Sequence, residues 1–173
     1  MIWLAGLPEG STDWDRFATL CPDAMAALSG LVGAAWAESD PVLLELARLR
    51  LARLLGSTAE LERRSGRARE AGLTEVKIAE LASWPTSPLF TRREQVCLAL
   101  TEQFALDANG IDDTAIADVT EHLGAAGCYA FVQAVSVLET FQRACLTLGI
   151  ETAPDVDELA SMGAAPTRPE DLR

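Results

Sequence analysis

No stretch of the 173-residue chain alternates apolar and polar residues long enough to make a strand, whereas helix start and stop signals recur along almost its whole length. Asp40-Pro41 is the clearest start: an acidic N-cap followed by proline at the first helical position. The helix it opens runs through LLELARLRLARLL to Gly56, a C-terminal stop. Thr12 or Ser11 can cap a first helix near Trp14, and Pro22 suits the first turn of a second, running to about Glu38. Ser57-x-x-Glu60 and Thr91-x-x-Glu94 have the form of capping boxes. The first predicts one charged helix, ELERRSGRAREA, ended by Gly72; the second predicts a helix to about Leu106. Thr74 starts a short helix to about Ser83, and Asp112 or Asp113 caps Thr114–His122. Gly124 to Leu148 is expected to be the longest and most apolar helix, ended by Gly149.

These signals predict an all-α, single-domain bundle of about six to eight helices over residues 1–150. Residues 151–173 differ in composition, with six acids, two arginines and three prolines, and are expected to form a loosely ordered acidic tail. The segment LLELARLRLARLL is apolar on more sides than one core face requires, which suggests burial against a second copy.

Composition narrows the function. The net charge of −12 argues against a nucleic-acid or anionic-membrane binder. One histidine is too few for a multi-histidine metal site. No phosphate loop, dinucleotide fingerprint, nucleophile elbow or metal cage is present, so neither cofactor nor metal is expected. Cys21, Cys97, Cys128 and Cys145 form no C-x-x-C and sit among apolar neighbours, as buried free thiols do. The N-terminus lacks a basic secretory start. The apolar runs fall short of the roughly 18–20 residues that span a bilayer. A reduced, cytoplasmic setting is expected.

Charge is unevenly spread. Seven arginines and four glutamates lie between Pro41 and Glu70, a local +3 in an acidic chain. This is either a solvated or intersubunit ion-pair face, or a pocket for an anionic small molecule.

The wording of this region, LLELARLRLARLLGSTAELERRSGRAREAGLTEVKIAEL, resembles the carboxymuconolactone decarboxylase and alkylhydroperoxidase D-like superfamily. LFTRREQVCLALTEQF and the final FQRACLTLGI continue the likeness, which covers roughly residues 15–150. The resemblance implies an all-helical fold and an obligate homo-oligomer, a trimer or hexamer. In the redox branch a glutamate precedes C-x-x-C-x-x-x-H by eleven residues. Here Glu45 matches the glutamate, Ser57 and Glu60 take the cysteine positions, and Arg64 takes that of the histidine. Serine and glutamate supply neither a thiolate nor a resolving thiol, so dithiol peroxidase chemistry is not expected. The decarboxylase branch tends to read L-G-x-x-x-E-L-x-x-H. Leu55-Gly56 and Glu60-Leu61 match it, with Arg64 replacing the histidine.

Two functions follow. The first is a cofactor-free decarboxylase or lyase acting on a small carboxylated or carbonyl compound. In it Glu45 and Glu60 are the catalytic acid–base candidates, and Arg64 and Arg48 hold the substrate anion. Arginine stays protonated near neutral pH and can clamp a carboxylate or oxyanion but not cycle a proton. The second is a redox-dead family member acting as a binding or structural oligomer. Each candidate also has a simpler role: Glu60 as a capping residue, Glu45 in a buried ion pair with Arg48 or Arg64, and Arg64 in an i,i+4 pair with Glu60. An enclosed cavity beside them favours the enzyme; side chains consumed by caps and ion pairs favour the second reading.

Overall fold

Asp40 accepts hydrogen bonds from the amides of Val42 (2.9 Å) and Leu43 (3.1 Å), and Gly56 closes the same helix in the left-handed conformation at φ 73°. In the computed structural model, which describes residues 12–151 and 153–163, this helix is central and packs against four of the others. The helices are α1 (Asp13–Ala18), α2 (Pro22–Glu38), α3 (Pro41–Leu55), α4 (Thr58–Glu62), α5 (Gly66–Glu70), α6 (Glu75–Ala79), α7 (Arg92–Asp107), α8 (Asp113–Leu148) and α9 (Val156–Gly163). Short 3-10 turns follow α6 and α7. Among the described residues there is no strand.

Most of the punctuation read from the sequence is where local chemistry puts it. Thr91 and Glu94 form the reciprocal capping box at the start of α7, and Asp112 caps α8 through the amide of Ala115. Thr12 and Asp15 exchange side-chain bonds to each other's amides at 3.0 Å, opening α1; Ser11 lies outside the described residues. Gly124, at φ 72° and ψ 167°, breaks α8 where the sequence places a boundary. That conformation is open in practice only to glycine.

Residues 43–49 of α3, together with Leu51 and Ala52, are buried. One face of α3 packs with Trp36, Val96, Leu100, Phe131 and Leu138, and the other with Leu73, Ile78, Leu81, Trp84 and Phe90. Its all-round apolar character is therefore satisfied within one chain and does not itself call for a second copy. A third cluster joins α1, α2, the end of α8 and α9 through Trp14, Val32, Phe141 and Leu159. Trp14 and Phe141 meet with ring centroids 5.6 Å apart.

Four expectations are corrected. The charged segment after Glu60 is not one helix: Arg63–Ser65 is extended and separates α4 from α5, because Ser65 caps a new turn through the amide of Ala68. Val156–Gly163, expected to be loose, is a helix whose Val156 and Leu159, one turn apart, are buried. Cys21 is exposed, whereas Cys97, Cys128 and Cys145 are buried. Finally, α8 is long and apolar enough to span a bilayer, with a mean hydropathy of 1.2 over its best 18 residues. Gly124 interrupts it, and its buried side chains belong to the core.

Candidate functional site

Arg48 is the centre of the site and is 1% exposed. A guanidinium carries five N–H donors, and all five are used. Nε and Nη2 reach the two carboxylate oxygens of Glu45 at 2.7 and 2.8 Å. Nη1 donates to the Glu60 carboxylate (2.7 Å) and to the Glu60 carbonyl (2.8 Å). The remaining Nη2 donor goes to the carbonyl of Arg63 at 3.0 Å. Burial alone would lower the Arg48 pKa, but Glu45 and Glu60 outweigh it, and the pKa lies above the ordinary arginine value.

The carboxylates are equally engaged. Glu45 also accepts the Ser65 amide at 3.1 Å, and Glu60 also accepts Nη1 of Arg63. Glu60 therefore does not complete the capping box that Ser57-x-x-Glu60 suggests. Ser57 accepts the Glu60 amide at 3.4 Å, but the Glu60 side chain turns inward to the two arginines instead of back to the Ser57 amide. The structure thus brings together Glu45, Arg48 and Glu60. Arg64 points away: its Nε pairs with Glu75 at 3.1 Å and its Nη1 caps the carbonyls of Leu61 and Arg63. The break at Arg63–Ser65 removes the i,i+4 relation between Glu60 and Arg64, so no such pair forms. Arg69 joins Arg64 on Glu75, and these two hydrogen bonds hold the Glu75 carboxyl below its ordinary pKa.

Other residues at the site carry no local sequence signal. Arg63, 19% exposed at its side chain, bridges Glu60 and the carbonyl of Glu151. Gln142 of α8 donates to the Arg48 carbonyl at 3.0 Å while its own Oε1 is buried without a partner. Cys145, one turn further along, has its thiol pKa pushed up to about 12, chiefly by burial and then by the nearby Glu60 carboxylate, against the opposing charge of Arg63. Burial likewise pushes the Cys97 thiol up to about 12. Both remain protonated at neutral pH and are not activated nucleophiles. All four cysteines are free and form no disulfide pair, which is consistent with a lack of dithiol peroxidase chemistry.

Two grooves of about 500 Å³ lie elsewhere. One runs beside Trp84, Gln95, Leu100 and Gln103; the other lies among Asp40, Lys77, Arg93 and Glu94. Neither is lined by Glu45, Arg48, Glu60 or Arg64. Among the described residues, no group of three histidine, cysteine or acidic side chains is placed to hold a metal.

The sequence model of the carboxymuconolactone decarboxylase family matches residues 22–103, which span α2 to most of α7 and include the whole arginine–glutamate cluster. Over that stretch, a little under half of the chain, the sequence is similar to the carboxymuconolactone decarboxylase family. A crystal structure from Agrobacterium tumefaciens shares the fold of this chain, with a TM-score of 0.70 at 20% identity over 81% of this chain and 96% of that one. That protein is described as one of unknown function and a candidate AhpD antioxidant defence protein. No curated protein matches the sequence.

Proposed function

We propose that this protein is a redox-silent, homo-oligomeric member of the carboxymuconolactone decarboxylase and AhpD-like superfamily, a binding protein in which the segment used for chemistry by thiol relatives is a structural ion-pair network. The observation that carries the reading is the saturation of Arg48: five donors and five protein acceptors, with both carboxylates spent on the arginines. A buried arginine so paired has nothing left to offer a substrate. The ligand edge falls instead on the partly exposed Arg63 and Arg64, which suit a small anionic or carbonyl compound. The net charge of −12 and the buried thiols fit a cytoplasmic setting with neither nucleic acid nor membrane as partner.

A trimer or hexamer fits the α2–α8 face. Leu31 and Tyr129 are exposed there, the tyrosine by 68%, beside a shallow apolar groove floored by Ala34, Ala35, Ala130 and Val137. A second copy is the natural cover for such a patch.

Cofactor-free lyase chemistry is the second reading, and Arg63 supports it. A substrate carboxylate that drew Arg63 away from Glu60 would leave Glu60 with Arg48 alone, closer to solvent and freer to move a proton, with Glu45 fixing Arg48 in place.

A thermal-shift panel of small mono- and dicarboxylates and keto acids tests the binding reading. A stabilising ligand should raise Tm in the parent in proportion to the logarithm of its concentration above Kd. Arg64→Ala should abolish that shift. An equal shift in Arg64→Ala, or none across the panel, removes the reading. Conversion of any responding compound, lost in Glu60→Gln, would establish the lyase instead.

A further inference from the structure

The extended stretch Arg63–Ser65 is held from two sides. On the inner side Arg48 takes the Arg63 carbonyl, and Glu45 takes the Ser65 amide. On the outer side the contacts come from the chain end, about ninety residues away. Asp157 accepts the Ser65 hydroxyl at 3.1 Å, the Gly66 amide at 2.6 Å and the Arg67 amide at 3.4 Å. The carbonyl of Glu151 accepts Nη2 of Arg63 at 2.7 Å.

We propose that the C-terminal segment bearing Glu151 and Asp157 is a latch over the arginine–glutamate cluster, and that Asp157 is its catch. The geometry explains why a latch is needed. α4 and α5 have five residues each, too short to hold helical form unaided. Their conformation depends on what grips the residues between them. The inner grip is ionic and buried, while the outer grip reaches the surface at Gly66 and Arg67, where water competes for the same amides. Val156 and Leu159 are not part of that grip, since they anchor α9 in the core and leave Asp157, between them, to face the extended stretch.

 With the catch released, the Gly66 and Arg67 amides lose their acceptor, α5 frays, and Arg63 swings out with Glu60 exposed behind it. What that opening admits rests on the binding reading above; the latch itself does not.

The test therefore uses no ligand. Hydrogen–deuterium exchange and phenylglyoxal modification of Arg63 are read by mass spectrometry in the full chain, its Asp157→Ala and Asp157→Asn variants, and Asp23→Ala as a control for charge loss at an exposed position of a helix. In Asp157→Ala, the Ser65 and Ala68 amides, which Asp157 does not touch, should exchange about tenfold faster, as local opening requires. Arg63 should be modified several-fold faster, with Asp157→Asn in between. Peptides from α3 and α8 should keep the exchange of the parent, as should every peptide of Asp23→Ala. Unchanged protection at Ser65 and Ala68, or unchanged modification of Arg63, overturns the proposal. So does equal acceleration throughout α3 and α8, which would make Asp157 a support of the whole fold. A failed ligand panel with a positive exchange result would remove the binding reading and leave the latch standing.

Discussion

Arg48 and Glu45, three residues apart on α3, are joined by two parallel hydrogen bonds of 2.7 and 2.8 Å, each partner 1% exposed. This planar fork-to-carboxylate contact fixes both side chains and directs the remaining Arg48 donors toward α4. Arg48→Met should destabilise the protein by about 3–5 kcal/mol, because it strands two buried carboxylates. Arg48→Lys keeps the charge but supplies three donors where five are used, and should fall between parent and Arg48→Met. Combining Arg48→Met with Glu45→Gln and Glu60→Gln should recover much of the loss. Urea unfolding measures all three, and a mild effect of Arg48→Met alone would contradict the saturation argument.

Gly124→Ala should cost about 1–3 kcal/mol, since φ 72° with ψ 167° strains any residue bearing a Cβ. Space is not the obstacle, because an added Cβ there meets nothing within 4 Å. Thermal unfolding by circular dichroism reads the change. A variant as stable as the parent would mean that α8 can run straight through this position.

Thiol titration should find one fast cysteine and three slow ones. Cys21 is exposed, while Cys97, Cys128 and Cys145 are buried, two of them with pKa values near 12. Ellman's reagent at pH 8 should label Cys21 at once and the others only on unfolding; Cys21→Ser should remove the fast phase. Peroxide turnover with thiol donors should stay at background in parent and variant alike.

Asp40 links stability to acid pH. Burial would raise its pKa, but Arg93, through a hydrogen bond and its charge, and the amides of Leu43 and Val42 together hold it below the ordinary aspartate value. A depressed folded-state pKa adds stability that is present above the unfolded-state value and is lost as pH falls through the folded one. Asp40→Asn, which still caps a helix, should therefore cost little at low pH, and more above about pH 4, flattening the acid limb of the stability profile. Asp40→Ala should lose about a further 1 kcal/mol at every pH through the missing cap. Parallel pH profiles for parent and Asp40→Asn would show that the Arg93 pair contributes nothing.

Tyr129→Asp or Leu31→Asp should dissociate the proposed assembly while leaving each chain folded. Light scattering that shows the parent already as an 18.5 kDa monomer at micromolar concentration would remove the proposed oligomer.

What could be read from the sequence was what neighbours in sequence decide. Asp40-Pro41, Thr91-x-x-Glu94, Gly56 and Gly124 act within one helical turn, and each marks a boundary in the structure. The split between α4 and α5 was hidden because the demand for an extended backbone comes from Arg48, fifteen residues before Arg63, and from Asp157, far beyond it. Periodicity alone made ELERRSGRAREA look continuous. The candidate site was legible in part for the same reason. Glu45 and Arg48 are one turn apart on a helix with clear ends, but the inward turn of Glu60 and the pairing of Arg64 with Glu75 depend on where α4 stops. Gln142 could not be foreseen, since a glutamine on an apolar helix gives no hint of which backbone carbonyl it meets.

The saturation of Arg48 also bears on ancestry. If Ser57 and Glu60 stand where a thiol relative carries its two cysteines, the way back is barred one substitution at a time. Glu60→Cys would leave Arg48 and Arg63 each short of a counter-charge, before a second cysteine at position 57 could give any redox benefit. Each intermediate along that route would fold less well than either end. A chain built around such a closed set of charges is free to drift at its rim but held to its centre.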